Sequence, residues 1–265
     1  MKLGISTATF FTRVYTEEAF DIIRGLGLDN VEVFLATFSE YTADFAKTLK
    51  ANIGGLNIVS VHTLNQQFEP ELFNPSPRTR KDCEHFLLEA TEVAKAIGAK
   101  YYIFHGPARL KKTPYNIDYV AMGKRADEIS ELIAGVYPGF SYLYENVHWT
   151  YFSEPEFFAN LKKHCKVNAC LDIKQAMQSK RTVDEYLDVM GDRLRHVHLC
   201  DYLDNGKLVA PGKGVFDFER LLRRLKDEGF NGTLVLELYA RDYGDVREVK
   251  ASSDYLQEIL YKIGS

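Results

Sequence analysis

The chain has 265 residues, 46% of them hydrophobic and 26% charged, with 33 basic against 37 acidic side chains for a formal charge of −4. That balance provides no general attraction to nucleic acid or to an anionic membrane surface. No run of about 18 apolar residues is present to span a bilayer. The amino-terminal stretch MKLGISTATF alternates like a strand and lacks the apolar core and cleavage site of a secretory leader. Cys83, Cys165, Cys170 and Cys200 form no CxxC pair, a usage that fits a reduced cytoplasm better than a disulfide framework.

In chain order, short β-type runs alternate with longer amphipathic stretches. A strand at Leu3–Thr7 precedes a helix at Glu17–Leu26, and a strand at Val31–Leu35 precedes a helix at Ala43–Ile53. Next come Ile58–Thr63 with Arg78–Ile97, Tyr101–His105 with Asp118–Val136, and Tyr142–Val147 with Glu154–His164. Ala169–Ile173 with Val183–Met190, His196–Cys200 with Phe218–Glu228, and Thr233–Leu238 with Val246–Ile263 complete the series. Eight strand–helix units without a Pro/Ser-rich linker imply parallel strands joined by right-handed crossovers. The fold class expected is therefore α/β, a single (β/α)8 TIM barrel over residues 1–265. An open doubly wound sheet would carry a glycine-rich phosphate turn after its first strand; here that turn reads STATFFTRV. Gly25, Gly27, Gly54, Gly55, Gly98, Gly139 and Gly229 are expected to end helices in the left-handed region, and Thr16 to cap the first one.

Chemistry in such a barrel sits where strands run into the following loops. The third to eighth strands deliver His62, His105, Glu145, Asp172, His198 and Glu237 to one rim. A lone histidine at a strand end is usually just a hydrogen-bonded residue. Glu145 in YLYENV and Glu237 in LVLELY, however, lie among apolar residues, where an unpaired carboxylate costs roughly several kcal/mol. Joined by Asp172 in ACLDIK, these carboxylates would repel one another across a narrow mouth, and a divalent cation removes the conflict. Glu145, Asp172, His198 and Glu237 are the expected metal ligands. Three carboxylates and one imidazole suit Mn2+ or Mg2+, with Co2+ or Zn2+ as alternatives. His62 and His105 are candidates for a second cation, bridged by Glu145, or for substrate contact. Phe10, Phe11, Phe34 and Trp149 are candidate apolar walls, with ordinary core or surface packing as the alternative.

These motifs resemble the xylose isomerase-like TIM barrel superfamily, which unites sugar isomerases and epimerases with endonuclease IV. The resemblance spans the chain and is carried by YENV (Glu145), LDIKQA (Asp172), HVHLCD (His198) and LVLELY (Glu237). A glycine-containing loop, LVAPGKGVFDF, adds Gly212, Gly214, Asp217 and Phe218. In the epimerase branch the matching four residues bind one divalent ion, and those matching Glu145 and Glu237 are also the acid/base pair. The resemblance implies isomerisation or epimerisation of a sugar, sugar phosphate or related polyol by proton transfer through a metal-stabilised enediolate, either glutamate removing the proton. His62 and His105 match two further ligands of the endonuclease IV branch. The family's Asp-x-x-His reads Asp172-Ile-Lys-Gln175, so Gln175 stands at the substrate-contacting position, and the Asp-x-His expected before Gly-x-Gly is absent. A three-zinc repair site cannot be assembled from the usual ligands.

Rival readings on the same scaffold are an endonuclease IV-like phosphodiesterase, a dehydratase and a non-catalytic binding barrel. The partner expected is a small carbohydrate, with nucleic acid disfavoured, no membrane, and self-association left open. Arg109 in the run Arg109-Leu110-Lys111-Lys112, or Arg241 beyond Glu237, is the candidate contact for an anionic part of the substrate. A solvated surface run is the alternative for the former.

Overall fold

The computed structural model describes residues 1–64, 67–109 and 116–264. Eight parallel strands close a barrel: β1 (Lys2–Ser6), β2 (Asn30–Leu35), β3 (Asn57–Thr63), β4 (Tyr101–Phe104), β5 (Ser141–Glu145), β6 (Asn168–Asp172), β7 (Leu194–Leu199) and β10 (Thr233–Leu236), with β1 paired to both β2 and β10. Two short strands, β8 (Asp201–Tyr202) and β9 (Leu208–Val209), form an antiparallel pair over the loop after β7. The helices are α1 (Thr16–Gly25), α2 (Ala43–Ile53), α3 (Pro77–Ile97), α4 (Tyr119–Val136), α5 (Pro155–Leu161), α6 (Ile173–Gln178), α7 (Val183–Met190), α8 (Phe218–Asp227) and α9 (Val246–Ile263). None of the described helices is long and apolar enough to cross a membrane.

Alternation along the strands divides the interior into two zones. Val31, Val33 and Leu35 of β2, and Val197 and Leu199 of β7, belong to the large apolar cluster shared with the helices. Ile103, Leu143 and Cys170 form a small apolar plug of their own, while Glu32 of β2, Ser60 and His62 of β3, and His196 and His198 of β7 are buried polar groups. Polar side chains thus reach deep into the barrel and need partners there.

Several strands stop earlier than the apolar runs suggest, because backbone groups turn to side chains or loops. The His105 amide donates to Glu69 Oε2, the Val147 amide to the Glu145 carbonyl, and the Leu238 amide to Thr9 Oγ1. Thr16 is not the cap of α1; it lies inside the helix and its hydroxyl donates to the Phe34 carbonyl. The amide of Tyr15, the preceding residue, instead donates to the Glu18 carboxylate. Of the glycines expected in the left-handed region, Gly27, Gly54, Gly98, Gly139 and Gly229 have positive φ, whereas Gly25 is the last residue of α1 and Gly55 is not among them.

The β8–β9 loop is organised by Asp201, whose carboxylate accepts the amides of Tyr202, Gly212, Gly214 and Phe216. A Cβ on Gly214 would run into Asp201 Oδ1 and the Tyr202 carbonyl, so glycine is required for that approach. Asp217 caps α8 by accepting the Arg220 amide, and Phe218 is fully buried.

Candidate active site and metal centre

Strand ends bring the expected ligands together. Glu145 is the last residue of β5, Asp172 the last of β6, His198 the penultimate residue of β7, and Glu237 follows β10. Asp172 stands opposite His198 in the β6–β7 register. One donor atom from each of the four residues lies within 4.8 Å of the others, and all four residues are buried. His198 Nδ1 lies 3.5 Å from Glu145 Oε1, 3.6 Å from Asp172 Oδ2 and 3.4 Å from Glu237 Oε2.

Local hydrogen bonds hold these side chains in place. Asp172 Oδ1 caps α6 by accepting the Gln175 amide at 2.9 Å, which leaves Oδ2 for the site. Asn146 bonds the backbone of Asp172 from both of its side-chain atoms, tying the ends of β5 and β6 together.

Beneath His198 lies Glu32 of β2. Its Oε2 accepts from Ser60 Oγ at 2.8 Å and meets Nε2 of His196 at 3.1 Å and of His198 at 3.2 Å. A carboxylate can only accept, so the proton shared with His198 belongs to Nε2, and Nδ1 faces three carboxylates; burial opposes the charged ring, but Cys170, Glu237 and Glu32 outweigh it and raise His198 well above the ordinary histidine range. Such an arrangement is repulsive unless an imidazolium proton or another cation lies between them.

Among the described residues, Glu145 Oε1 and Oε2 and His198 Nδ1 find no hydrogen-bond partner although buried. Orphaned buried polar atoms converging on one point, with a carboxylate behind the imidazole, match the pattern of a divalent-ion site with its supporting shell. The donor set fits the ion.

The histidine side of the mouth is arranged differently. His62 Nε2 and His105 Nε2 face each other at 2.8 Å, and His105 Nδ1 meets Glu69 Oε2, also at 2.8 Å. Glu69, on the single turn Glu69–Phe73 after β3, also accepts from Thr63 and Tyr102. Glu145 Oε2 lies 3.4 Å from His105 Nε2 and 3.9 Å from His62 Nε2. His62 Nδ1 in turn lies 3.2 Å from Glu237 Oε1.

Electrostatics differ from carboxylate to carboxylate. Burial, and then the Asp172 charge, raise Glu145 above the ordinary carboxylate range despite His198 and His105. Burial would also raise Glu237, but His198, Lys174 and His62 outweigh it and hold Glu237 well below that range. Glu32 is likewise held well below, its burial overcome by His198, His196 and His62. For His62, burial opposes the charged form, yet Glu237 and Glu32 push its titration up to about 10.

The remaining expected contacts fall at the rim. Phe34 packs edge-on to His62 and to Phe11, and Trp149 stacks on His105 with ring centres 6.2 Å apart. Phe10 is buried in the outer apolar cluster and is not a wall of the mouth. Gln175 Oε1 is engaged by the His148 amide at 3.1 Å and by His148 Nδ1 at 2.7 Å. Arg109 pairs with Glu154 at 2.7 Å, while Leu110, Lys111 and Lys112 lie outside the described residues. The Arg241 guanidinium lies 5.2 Å over the ring of Tyr239.

Buried polar residues of the site that were not anticipated include Glu32, His196 and Lys174. Glu32 carried the same signal as Glu145 and Glu237, a carboxylate within an apolar strand (VEVFL). His196 shares the parity of His198. Lys174 follows Asp172 by two residues, and its ammonium lies 3.4 Å from Asp172 Oδ2 and 3.2 Å from Glu237 Oε2.

The model of the xylose isomerase-like TIM barrel family matches residues 20–259. A curated relative, fructoselysine 3-epimerase of Escherichia coli O157:H7, is 25% identical over 268 residues, covering 90% of each chain. Among solved structures, a D-tagatose 3-epimerase-like protein superposes with a TM-score of 0.78 at 20% identity, over 100% of this chain and 98% of its own. The IOLI protein with a bound zinc atom superposes with a TM-score of 0.76 at 19% identity, over 99% of each chain. With the closed barrel observed directly and the family model covering most of its length, the chain belongs to the xylose isomerase-like TIM barrel family.

Proposed function

We propose that the chain is a divalent-metal-dependent isomerase or epimerase of a sugar, sugar phosphate or related polyol. The observation that carries the reading is the convergence of Glu145, Asp172, His198 and Glu237 within 4.8 Å, with both Glu145 oxygens and His198 Nδ1 lacking hydrogen-bond partners. The epimerase relatives support the substrate class. Mn2+, Mg2+, Co2+ and Zn2+ all suit three carboxylates and one imidazole. Bound there, such an ion supplies Lewis-acid polarisation of substrate oxygens.

Isomerisation and epimerisation both require a proton to leave a carbon alpha to a carbonyl and another to return. Glu145 and Glu237 come from strands three places apart around the ring, so one carboxylate can abstract the proton while the other delivers one to the neighbouring carbon or to the opposite face. Phe34, Phe11 and Trp149 restrict water at the mouth, which strengthens the electrostatic contacts inside. Arg241 and Gln175 are assigned to the outer part of the substrate.

Incubation of the metal-replete protein with D-tagatose, D-psicose or fructoselysine in deuterium oxide tests this reading. Deuterium should enter the product alpha to the carbonyl and be lost in Glu237→Gln. Turnover of a sugar by the parent without any solvent label, or label undiminished in Glu237→Gln, would sink the proton-transfer mechanism. A second reading, metal-dependent phosphodiester cleavage, draws on the His62–His105–Glu145 cluster, whose donor atoms also lie within 4.8 Å. Cleavage of an abasic duplex with no sugar labelling would promote it.

A further inference from the structure

Lys174 has no part in that proton transfer, yet it is buried in the centre of the site. It lies in the first turn of α6, two residues after the capping residue Asp172, and is 5% exposed. Its Nζ lies against Asp172 Oδ2 and Glu237 Oε2, the same two oxygens that approach His198 Nδ1. On its other side the ammonium stands 4.6 Å over the ring of Tyr239, a residue 41% exposed at the mouth. A lysine with both carboxylate partners drawn from a candidate ligand set is a cation placed where another cation is expected.

We propose that Lys174 is an internal competitor for the divalent ion: its ammonium occupies Asp172 Oδ2 and Glu237 Oε2 in the empty site and withdraws toward Tyr239 when the ion binds. The inference rests on the metal-site reading above. Two consequences follow from simple electrostatics. The empty site stays folded because two buried carboxylates keep a partner. The ion binds more weakly than the same ligands would hold it alone, because its entry displaces one cation and leaves that cation a few ångströms away.

The test is a Mn2+ titration of the chelator-stripped full chain, followed by electron paramagnetic resonance of the free ion, in the parent, K174M and K174R. K174M should bind Mn2+ at least about tenfold more tightly than the parent, while K174R, which keeps the charge, stays within about threefold of it. Binding by K174M that equals or falls below the parent's would overturn the competition while leaving the metal site standing. Absence of Mn2+ binding in both proteins would remove the metal site and the competition together. A crystal of the parent grown with Mn2+ gives a reading independent of any variant. Nζ should stand more than about 4 Å, the ion-pair limit, from both oxygens, and an ammonium still seated on both beside the bound ion would refute the displacement.

Discussion

On the β3–β4 side of the mouth, His105, Glu69, Thr63 and Tyr102 find their partners in one another. On the β5–β10 side, Glu145 and His198 Nδ1 find none among the described residues, and Asp172 Oδ2 and Glu237 Oε2 face Lys174. Both groups are buried around one barrel mouth. Position in the fold therefore does not separate a ligand site from a satisfied polar network; hydrogen-bond accounting does. Where every donor has an acceptor, a cation adds little and must displace protons. Where lone pairs converge without a proton between them, a cation relieves the repulsion.

The largest expected effect tests the unsatisfied side directly. Glu145→Gln and Glu237→Gln should each lower kcat for a ketose substrate by about 10²–10⁴-fold, the usual contribution of a positioned acid or base. At Glu145, whose charged form burial and Asp172 disfavour, the neutral amide removes repulsion and thermal stability should hold or rise; at Glu237, whose carboxylate His198, Lys174 and His62 favour, it should fall. A glutamine variant with more than about a tenth of parental kcat would show that its carboxylate does not carry the proton.

Two buried glutamates then contrast the sides by ion affinity. Glu32 stands behind His198, and a carboxylate supporting a ligating histidine is worth about 10–100-fold in metal affinity. Glu32→Gln should weaken Mn2+ binding by that factor. Glu69 stands behind His105 on the satisfied side, and Glu69→Gln should leave the affinity for the first ion unchanged while lowering stability by about 1.5–3 kcal/mol through a lost charged hydrogen bond. Equal effects on Mn2+ binding would mean that both sides hold ions, as a bridged pair through Glu145.

His62 lies between the sides, and pH should expose it. Its titration in the folded protein is raised to about 10 from the ordinary 6.5. A raised histidine contributes stability fully present below its unfolded value and lost as pH climbs through the folded one. The metal-free protein should therefore lose melting temperature between about pH 6.5 and pH 10, and His62→Gln should flatten that slope. An unchanged slope in the variant would place the charge on another group.

How much of this could be read from the sequence depended on the kind of signal. The barrel and the four convergent residues follow from period and from strand ends, since a strand end in this architecture is also a place on the rim. Glu32 carried the carboxylate-in-an-apolar-strand signal but sits in the middle of β2 rather than at its end, and only barrel closure brings it against His198 of β7. Lys174 was hidden because its side chain runs back from α6 to Asp172 and Glu237, and no spacing rule in a loop-to-helix turn specifies that direction. The capping expectation at Thr16 failed by one residue because the Phe34 carbonyl, 18 residues away, claimed the hydroxyl. Tertiary partners decided what local propensity had left open.

The smallest effect is expected at Arg109, at the edge of the satisfied side. The anion-contact reading needs a guanidinium free to fork two substrate oxygens. Here Nη1 donates to Glu154 Oε1 at 2.7 Å, and Glu154 Oε2 also accepts from Arg181 at 2.5 Å. Arg109 and Arg181 together hold the Glu154 carboxyl below its ordinary range even though burial raises it. The group is therefore already committed within a partly exposed cluster, and breaking one such contact costs less than about 1 kcal/mol. Arg109→Ala should change kcat/KM for a phosphorylated and an unphosphorylated version of one ketose alike, by less than about threefold. Arg241, whose guanidinium rests over the Tyr239 ring, is the rival candidate for an anion entering the mouth. Arg241→Ala should then penalise only the phosphorylated sugar, by about 1.5–3 kcal/mol if a charge-assisted contact is lost. A selective loss in Arg109→Ala instead would show that substrate draws Arg109 away from Glu154, and would shift the anion site toward the loop after β4.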